Sequence, residues 1–199
     1  ISVTGSLATT ESDQTTKVNI GAGAKVTAQS VSLLSNNLQK LDSSSDALSI
    51  GLATGAGALA NNTATGDARV VIGNNAEITA VNISVIAKNA FDKQHFATNL
   101  QSASVSLGGV TALLSDTDVG TNSDAFEALV DVGSGAKLLS VGNAGTPGLL
   151  RLEAFTDVVA LDKVETEAYG LLGISLGKSE VSVDSLAKVN VNGSTIKSN

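Results

Sequence analysis

Cysteine, tryptophan and methionine are absent from this 199-residue chain, and proline, histidine and tyrosine occur once each. Without cysteine there is neither a disulfide framework nor a thiolate metal site. Aromatic residues make up 3% against 42% apolar residues, so the interior must be thin layers of Val, Ile, Leu and Ala. The ring-lined pocket usual in a globular enzyme is excluded on that ground. Basic residues are also scarce: 12 Lys and Arg face 19 Asp and Glu, a net charge of −7. No basic patch is available to displace counterions from phosphates, so no nucleic acid partner is expected. Long hydrophobic runs are missing too. The most apolar stretch, Ala47 to Ala60, has 14 residues, short of the roughly 20 that a membrane helix needs, so no membrane-spanning segment is expected. The first residues, ISVTGSLATTESDQTT, lack the basic start and cleavage site of a signal peptide. With no initial Met, the chain reads as a piece of something longer or a processed product.

What the chain has in quantity is glycine, 20 residues, and repetition. Twenty glycines suit many tight corners between short strands. The stretch VNIGAGAKVTA at 18–28 returns as VVIGNNAEITA at 70–80 and as VDVGSGAKLLS at 130–140. Superposition places Val18, Ile20, Val26 and Ala28 on Val70, Ile72, Ile78 and Ala80, then on Val130, Val132, Leu138 and Ser140. A fourth, incomplete copy starts at Val189. Each copy continues into a second strand-like piece (SVSLLSNN, NISVIAKN, LLRLEAFT) and then into a half-repeat rich in Gly, Ala and Ser. Before LLRLEAFT the insertion VGNAGTPG, Val141 to Gly148, reads as a surface loop.

Aliphatics two apart, as at Val18 and Ile20 or Ile83, Val85 and Ala87, give the strand period and not the helical one. A strand of four to six residues cannot bury its inner face alone, whereas stacked repeats can. The expected fold is therefore all-β: a right-handed parallel β-helix of 52–60-residue repeats. At the roughly 20–30 residues usual for one rung, each repeat should supply about two rungs. The units fall at 1–16 (partial), 17–68, 69–128, 129–187 and 188–199 (partial), all within one solenoid segment. Gly21, Gly73 and Gly133 are expected to take positive φ at the first corner, with Asn192 in the same role in the fourth copy.

The pattern A-x-V-x-IG-x-x-A-x-ITA-x-x-ISV-x-A at Ala68 to Ala87, with SVSLGGV and EALVDVG between Ser104 and Gly133, resembles the repeats of large bacterial exoproteins. These are the filamentous-haemagglutinin-like and leukotoxin-like filamentous adhesins. The likeness is to a repeat type and covers nearly the whole chain. It implies a secreted or cell-surface β-helical shaft, used in adhesion or as a matrix filament. The family's N-terminal secretion domain has no counterpart in this stretch.

Residues that carry chemistry are few. His95 is the only histidine and lacks the partners of a triad or a metal site; beside Phe91 and Phe96 it reads as structural. Asp116, Asp118, Asp124 and Glu127 form an acidic run, and Asp42 and Asp46 a shorter one. Neither has the spacing of a calcium loop, so both read as solvated loops. The glycine-rich pieces at 55–59 and 106–110 lack the Lys-Ser/Thr of a phosphate loop. Thr27 and Thr79 recur, but Leu139 breaks the column an ice-binding face would need. No catalytic, cofactor-binding or metal-ligating residue is assigned, no cofactor is expected, and an enzyme is not. The expected role is a structural shaft or filament segment, extracellular or at the cell surface, whose partner is itself or neighbouring repeats end to end. The alternative is an adhesin module that binds a host or neighbour-cell glycan or protein through loops at Val141–Gly148 and Ser115–Phe126.

Overall fold

The computed structural model describes residues 1–94, 99–143 and 145–198. It is a parallel β-helix, with no helical segment among the described residues. The first turn holds β1 (Ser2–Asp13), β2 (Thr16–Ile20), β3 (Lys25–Lys40) and β4 (Ser45–Ile50). The second holds β5 (Ala53–Thr65), β6 (Asp67–Ile72), β7 (Glu77–Lys93) and β8 (Leu100–Val105). The third runs through β9 (Gly108–Val119), β10 (Phe126–Val132), β11 (Lys137–Ser140), β12 (Leu149–Ala160) and β13 (Val164–Tyr169). The last comprises β14 (Leu172–Val183), β15 (Ser185–Val191) and β16 (Thr195–Ser198). Equivalent strands pair into four parallel sheets: A (β1-β5-β9-β14), B (β2-β6-β10-β15), C (β3, β7, β11, β12 and β16) and D (β4-β8-β13).

The register repeats the sequence superposition. Val18 pairs with Val70, Val70 with Val130, and Val130 with Val189. Ile20, Ile72 and Val132 form one inner column, as do Val26, Ile78 and Leu138. These direct pairings correct the expectation of two rungs per repeat: one repeat is one turn. The two halves of a repeat are the two long sides of a single wide coil, running out along A and B and back along C and D. The turn at 120–125 lies at the A–B corner and the insertion between β11 and β12 lies within sheet C, and the ladders on either side keep their pairing.

The corner after sheet B also differs from expectation. Positive φ belongs to Gly23, Asn75 and Gly135, at 69°, 57° and 71°, and not to Gly21, Gly73 and Gly133. At Gly73 and Gly133 the first glycine of the corner serves closeness instead, whereas nothing lies within 4 Å of a Cβ on Gly21. A Cβ on Gly73 would lie 2.5 Å from the Ala22 nitrogen, and one on Gly133 2.7 Å from the Asn74 nitrogen, contacts no side chain tolerates. Asn192 has no positive φ; its amide donates to Asp131 Oδ1 at 3.1 Å.

Between sheets B and C lies an aliphatic core in which Val70, Ile72, Ile78, Ile83, Val85, Val130, Val132 and Leu138 are fully buried. Each such side chain contributes about 1.5–3 kcal/mol relative to exposure. Charges mark the outer face of sheet B, at Lys17, Arg69, Asp131 and Lys188. Between A and D the filling is smaller: Ala47, Ala56, Ala58 and Ala60, with Leu100 and Leu113. Phe91, Val119, Phe126 and Ala64 join the two ends.

Polar side chains close the backbone where sheets meet. Asn37 Nδ2 donates to Gln14 O and to Asn89 Oδ1, both at 2.9 Å. Asn89 Nδ2 donates in turn to Gly66 O at 2.7 Å and Glu127 O at 3.0 Å. At the A–B corner these amides add a second donor to Gln14 O and Gly66 O, which also accept from Asp67 N at 3.0 Å and Glu127 N at 3.2 Å. Lys93, fully buried, donates to Thr117 Oγ1 at 2.6 Å and pairs with the buried carboxylate of Asp162. Asp162 also accepts from Ser179 Oγ at 2.9 Å.

Candidate functional site

The residues singled out by their chemistry do not converge on one place. His95 lies outside the described residues. Asp116 and Asp118 stand on β9, two residues apart on the outward side of a strand. This corrects the reading of Ser115–Phe126 as a loop: its first half is strand, and the turn is confined to residues 120–125. That turn is closed by reciprocal backbone hydrogen bonds between Thr121 and Asp124. Glu127, at the start of β10, is held by Arg69 at 2.7 Å. Asp42 sits at the C–D corner, where its carboxylate accepts from Asn99, while Asp46 faces outward from β4. Among the described residues no three histidine, aspartate or glutamate side chains form a group able to hold a metal ion.

The Val141–Gly148 insertion is the loop its Gly and Pro content predicts. It separates β11 from β12, where turns one and two run through in a single bent strand. Thr146 N donates to Asn143 O at 2.8 Å across the loop. At its base a Cβ on Gly148 would fall 3.0 Å from Val81 O and closer still to Ser140 Oγ.

An exposed apolar belt on sheet A was not singled out from sequence. Sheet A points aliphatic side chains to solvent in columns along the axis. Val3, Val110 and Ile174 form one column, and Leu7, Leu59 and Leu114 another. Between them a groove of about 530 Å³ runs over Gly5, Gly57 and Ala112 and ends against Leu176. The belt continues around the A–D corner through Leu52 (75% exposed), Leu107 (57%) and Leu171 (82%) to Ile50, Val105 and Tyr169. A contiguous exposed apolar patch of this kind marks an interaction surface more often than a chance cluster. The signal was present in GLATGAGALA and SLGGVTALL: apolar residues at both parities of the alternation, so that neither face of the strand is polar.

Acidic residues flank the belt on both sides. Glu11, Asp13, Asp116, Asp118 and Glu180 follow it along sheet A, and Asp46, Glu165 and Glu167 stand on sheet D. The one basic residue on these seven strands is Lys178, and Glu180 engages it. Partial burial, with Asp116 and Glu180 as like-charged neighbours, raises the Asp118 pKa above its ordinary value of 3.8. A hydrogen bond to Glu167 raises that of Tyr169.

Compared with models of protein families, with curated proteins and with solved structures, the chain matches none. No helix among the described residues is long and apolar enough to cross a membrane.

Proposed function

We propose that this chain is a segment of a rigid, secreted or cell-surface β-helical shaft that lengthens by adding turns end to end. The observation that carries the reading is the register: four successive turns pair in register in sheets A and B, and three in sheet D, whatever their insertions. The outer edges of the first and last turns present backbone groups in the same geometry that the inner turns use to pair. A further turn, from a continuation of the polypeptide or from a neighbouring copy, docks there without any new type of contact. The interior fits a mechanical role, since apolar ladders and amide ladders both run parallel to the axis and resist bending.

Negative-stain microscopy at rising protein concentration tests the proposal. Rods of constant width whose length grows in whole units support it; particles of one fixed length at every concentration overturn axial addition. The Val141–Gly148 loop favours a second reading, a glycan- or protein-binding module, because it projects from an otherwise continuous sheet. Replacing it by the single residue that turns one and two carry there, Gln29 or Val81, should abolish cell or glycan binding while leaving the fold intact. Undiminished binding by that variant removes the second reading.

A further inference from the structure

The outer surface of the coil is divided by charge. The seven strands of sheets A and D carry eight acidic residues and one basic residue, Lys178. Outward positions of sheet C carry Lys25, Lys40, Lys88, Lys137, Arg151 and Lys197 against Glu77, Asp92, Glu153 and Asp157. This second face is apolar in part: Leu34, Leu38, Phe155 and Val159 are all exposed on it. Lys88 lies 5.4 Å from the Phe155 ring centre, presenting a cation and a ring together.

We infer that the acidic apolar belt over sheets A and D is a docking surface for the basic face of sheet C on a second copy of this chain, so that shafts pack side by side. Three points select that occupant. Two belts placed face to face would set acid against acid on either flank, in parallel or antiparallel orientation, so a self-complementary pairing is opposed. The C face supplies both missing properties, positive charge and aliphatic side chains. Both faces are also ruled at the same spacing, about 4.8 Å per turn, so ridges such as Leu7-Leu59-Leu114 run parallel to the columns of sheet C when two axes align. The contact is heterologous: each copy offers its belt to one neighbour and its C face to another, which builds an open lateral array and not a closed dimer. It is independent of axial addition, because it uses the sides of the coil and not its edges.

The absence of cysteine makes the test direct. Leu114→Cys labels the belt and Ile86→Cys labels the C face, each in an otherwise thiol-free chain. A mixture of the two single variants, treated with a short bis-maleimide, should give a covalent dimer at least ten-fold more abundant than either variant alone. Coupling of Leu114→Cys to itself at the same yield shows a belt-to-belt contact and overturns the inference. No coupling in the mixture, at concentrations where the unlabelled protein sediments as more than a monomer, overturns it as well. Charge exchange gives a second readout. Asp116→Lys with Asp118→Lys should weaken lateral association at least ten-fold, and mixing that variant with Lys88→Glu/Lys137→Glu protein should restore it. Unchanged association of both variants overturns the role given to charge. Axial rods that form in every one of these variants leave the shaft proposal standing, so the two ideas fail separately.

Discussion

The two ends of the coil solve the same folding problem in opposite ways. Where B meets C, large aliphatics point inward and charged residues outward. Where A meets D, alanines and hydroxyls fill the inside while leucines and isoleucines look outward. Both ends have the same strand geometry and the same in-register pairing. The difference shows that pairing alone does not locate the hydrophobic driving force: in a stacked array the ladder of backbone hydrogen bonds holds either face. The B–C end buries most of the large aliphatics, and the A–D end leaves its own exposed. Orphaned hydroxyls agree with this. Thr54, Ser102, Ser104 and Ser115, all on strands of sheets A and D, have buried side-chain oxygens without a hydrogen-bond partner, while on sheets B and C the atoms so placed belong to amide and charged side chains such as Gln39 and Arg69.

Substitutions that remove volume or polar partners break the comparison most sharply at the B–C end and the junction beside it. Lys93→Met should have the largest effect, because it strands the Asp162 carboxylate, 2% exposed, in the interior; about 3–5 kcal/mol of unfolding free energy should be lost. The double variant Lys93→Met/Asp162→Leu should recover most of that loss, read as the urea midpoint at unchanged m-value. A double variant no more stable than Lys93→Met would show that the pair is not the unit. Ile72→Ala should cost about 2–5 kcal/mol through lost burial and a cavity between fixed turns. Asn89→Ala comes next, at about 1–3 kcal/mol, because Gly66 O and Glu127 O each lose a donor and the Asn37 amide loses an acceptor. At the other end Ser104→Ala should be neutral or stabilising, since its hydroxyl has no partner to lose. Equal losses from Ile72→Ala and Ser104→Ala would dissolve the distinction between the ends.

Sequence patterns carried the period, the strand character and the pairing partners, because a parallel stack repeats side chains at fixed register: Val18, Val70, Val130 and Val189 are neighbours in sequence alignment and in space. Three things were not readable. Repeat length does not say how many turns a repeat makes, since a 52-residue unit fits two narrow rungs or one wide one. Glycine at a corner does not say whether it serves a positive φ or a close approach, and here Gly23 does the first and Gly73 the second. Alternation, finally, reports two faces without saying which is inside. At DARVVI the charges of Asp67 and Arg69 decide it; in ATGAGALANN both faces are small or apolar and nothing decides it. The candidate surface therefore stayed hidden in the half of the repeat whose two faces look alike.

The smallest expected effect concerns the acidic margin of the belt. Asp118 has its pKa raised by partial burial and by Asp116 and Glu180 beside it, so the folded protein holds a proton there more tightly than the unfolded chain. The sign follows from linkage: between the ordinary value of 3.8 and the raised one, stability falls as pH rises, and above the raised value the penalty is fully present. Asp118→Asn removes the charge and should make the protein slightly more stable at pH 7, with no gain over the parent below pH 3.8. Thermal midpoints across that range read the difference, which should shrink with added salt because the carboxylate is largely solvated. A variant less stable than the parent at pH 7 would mean that the acids along sheet A are compensated within the fold. The repulsion that directs the belt toward a basic neighbour would then be absent.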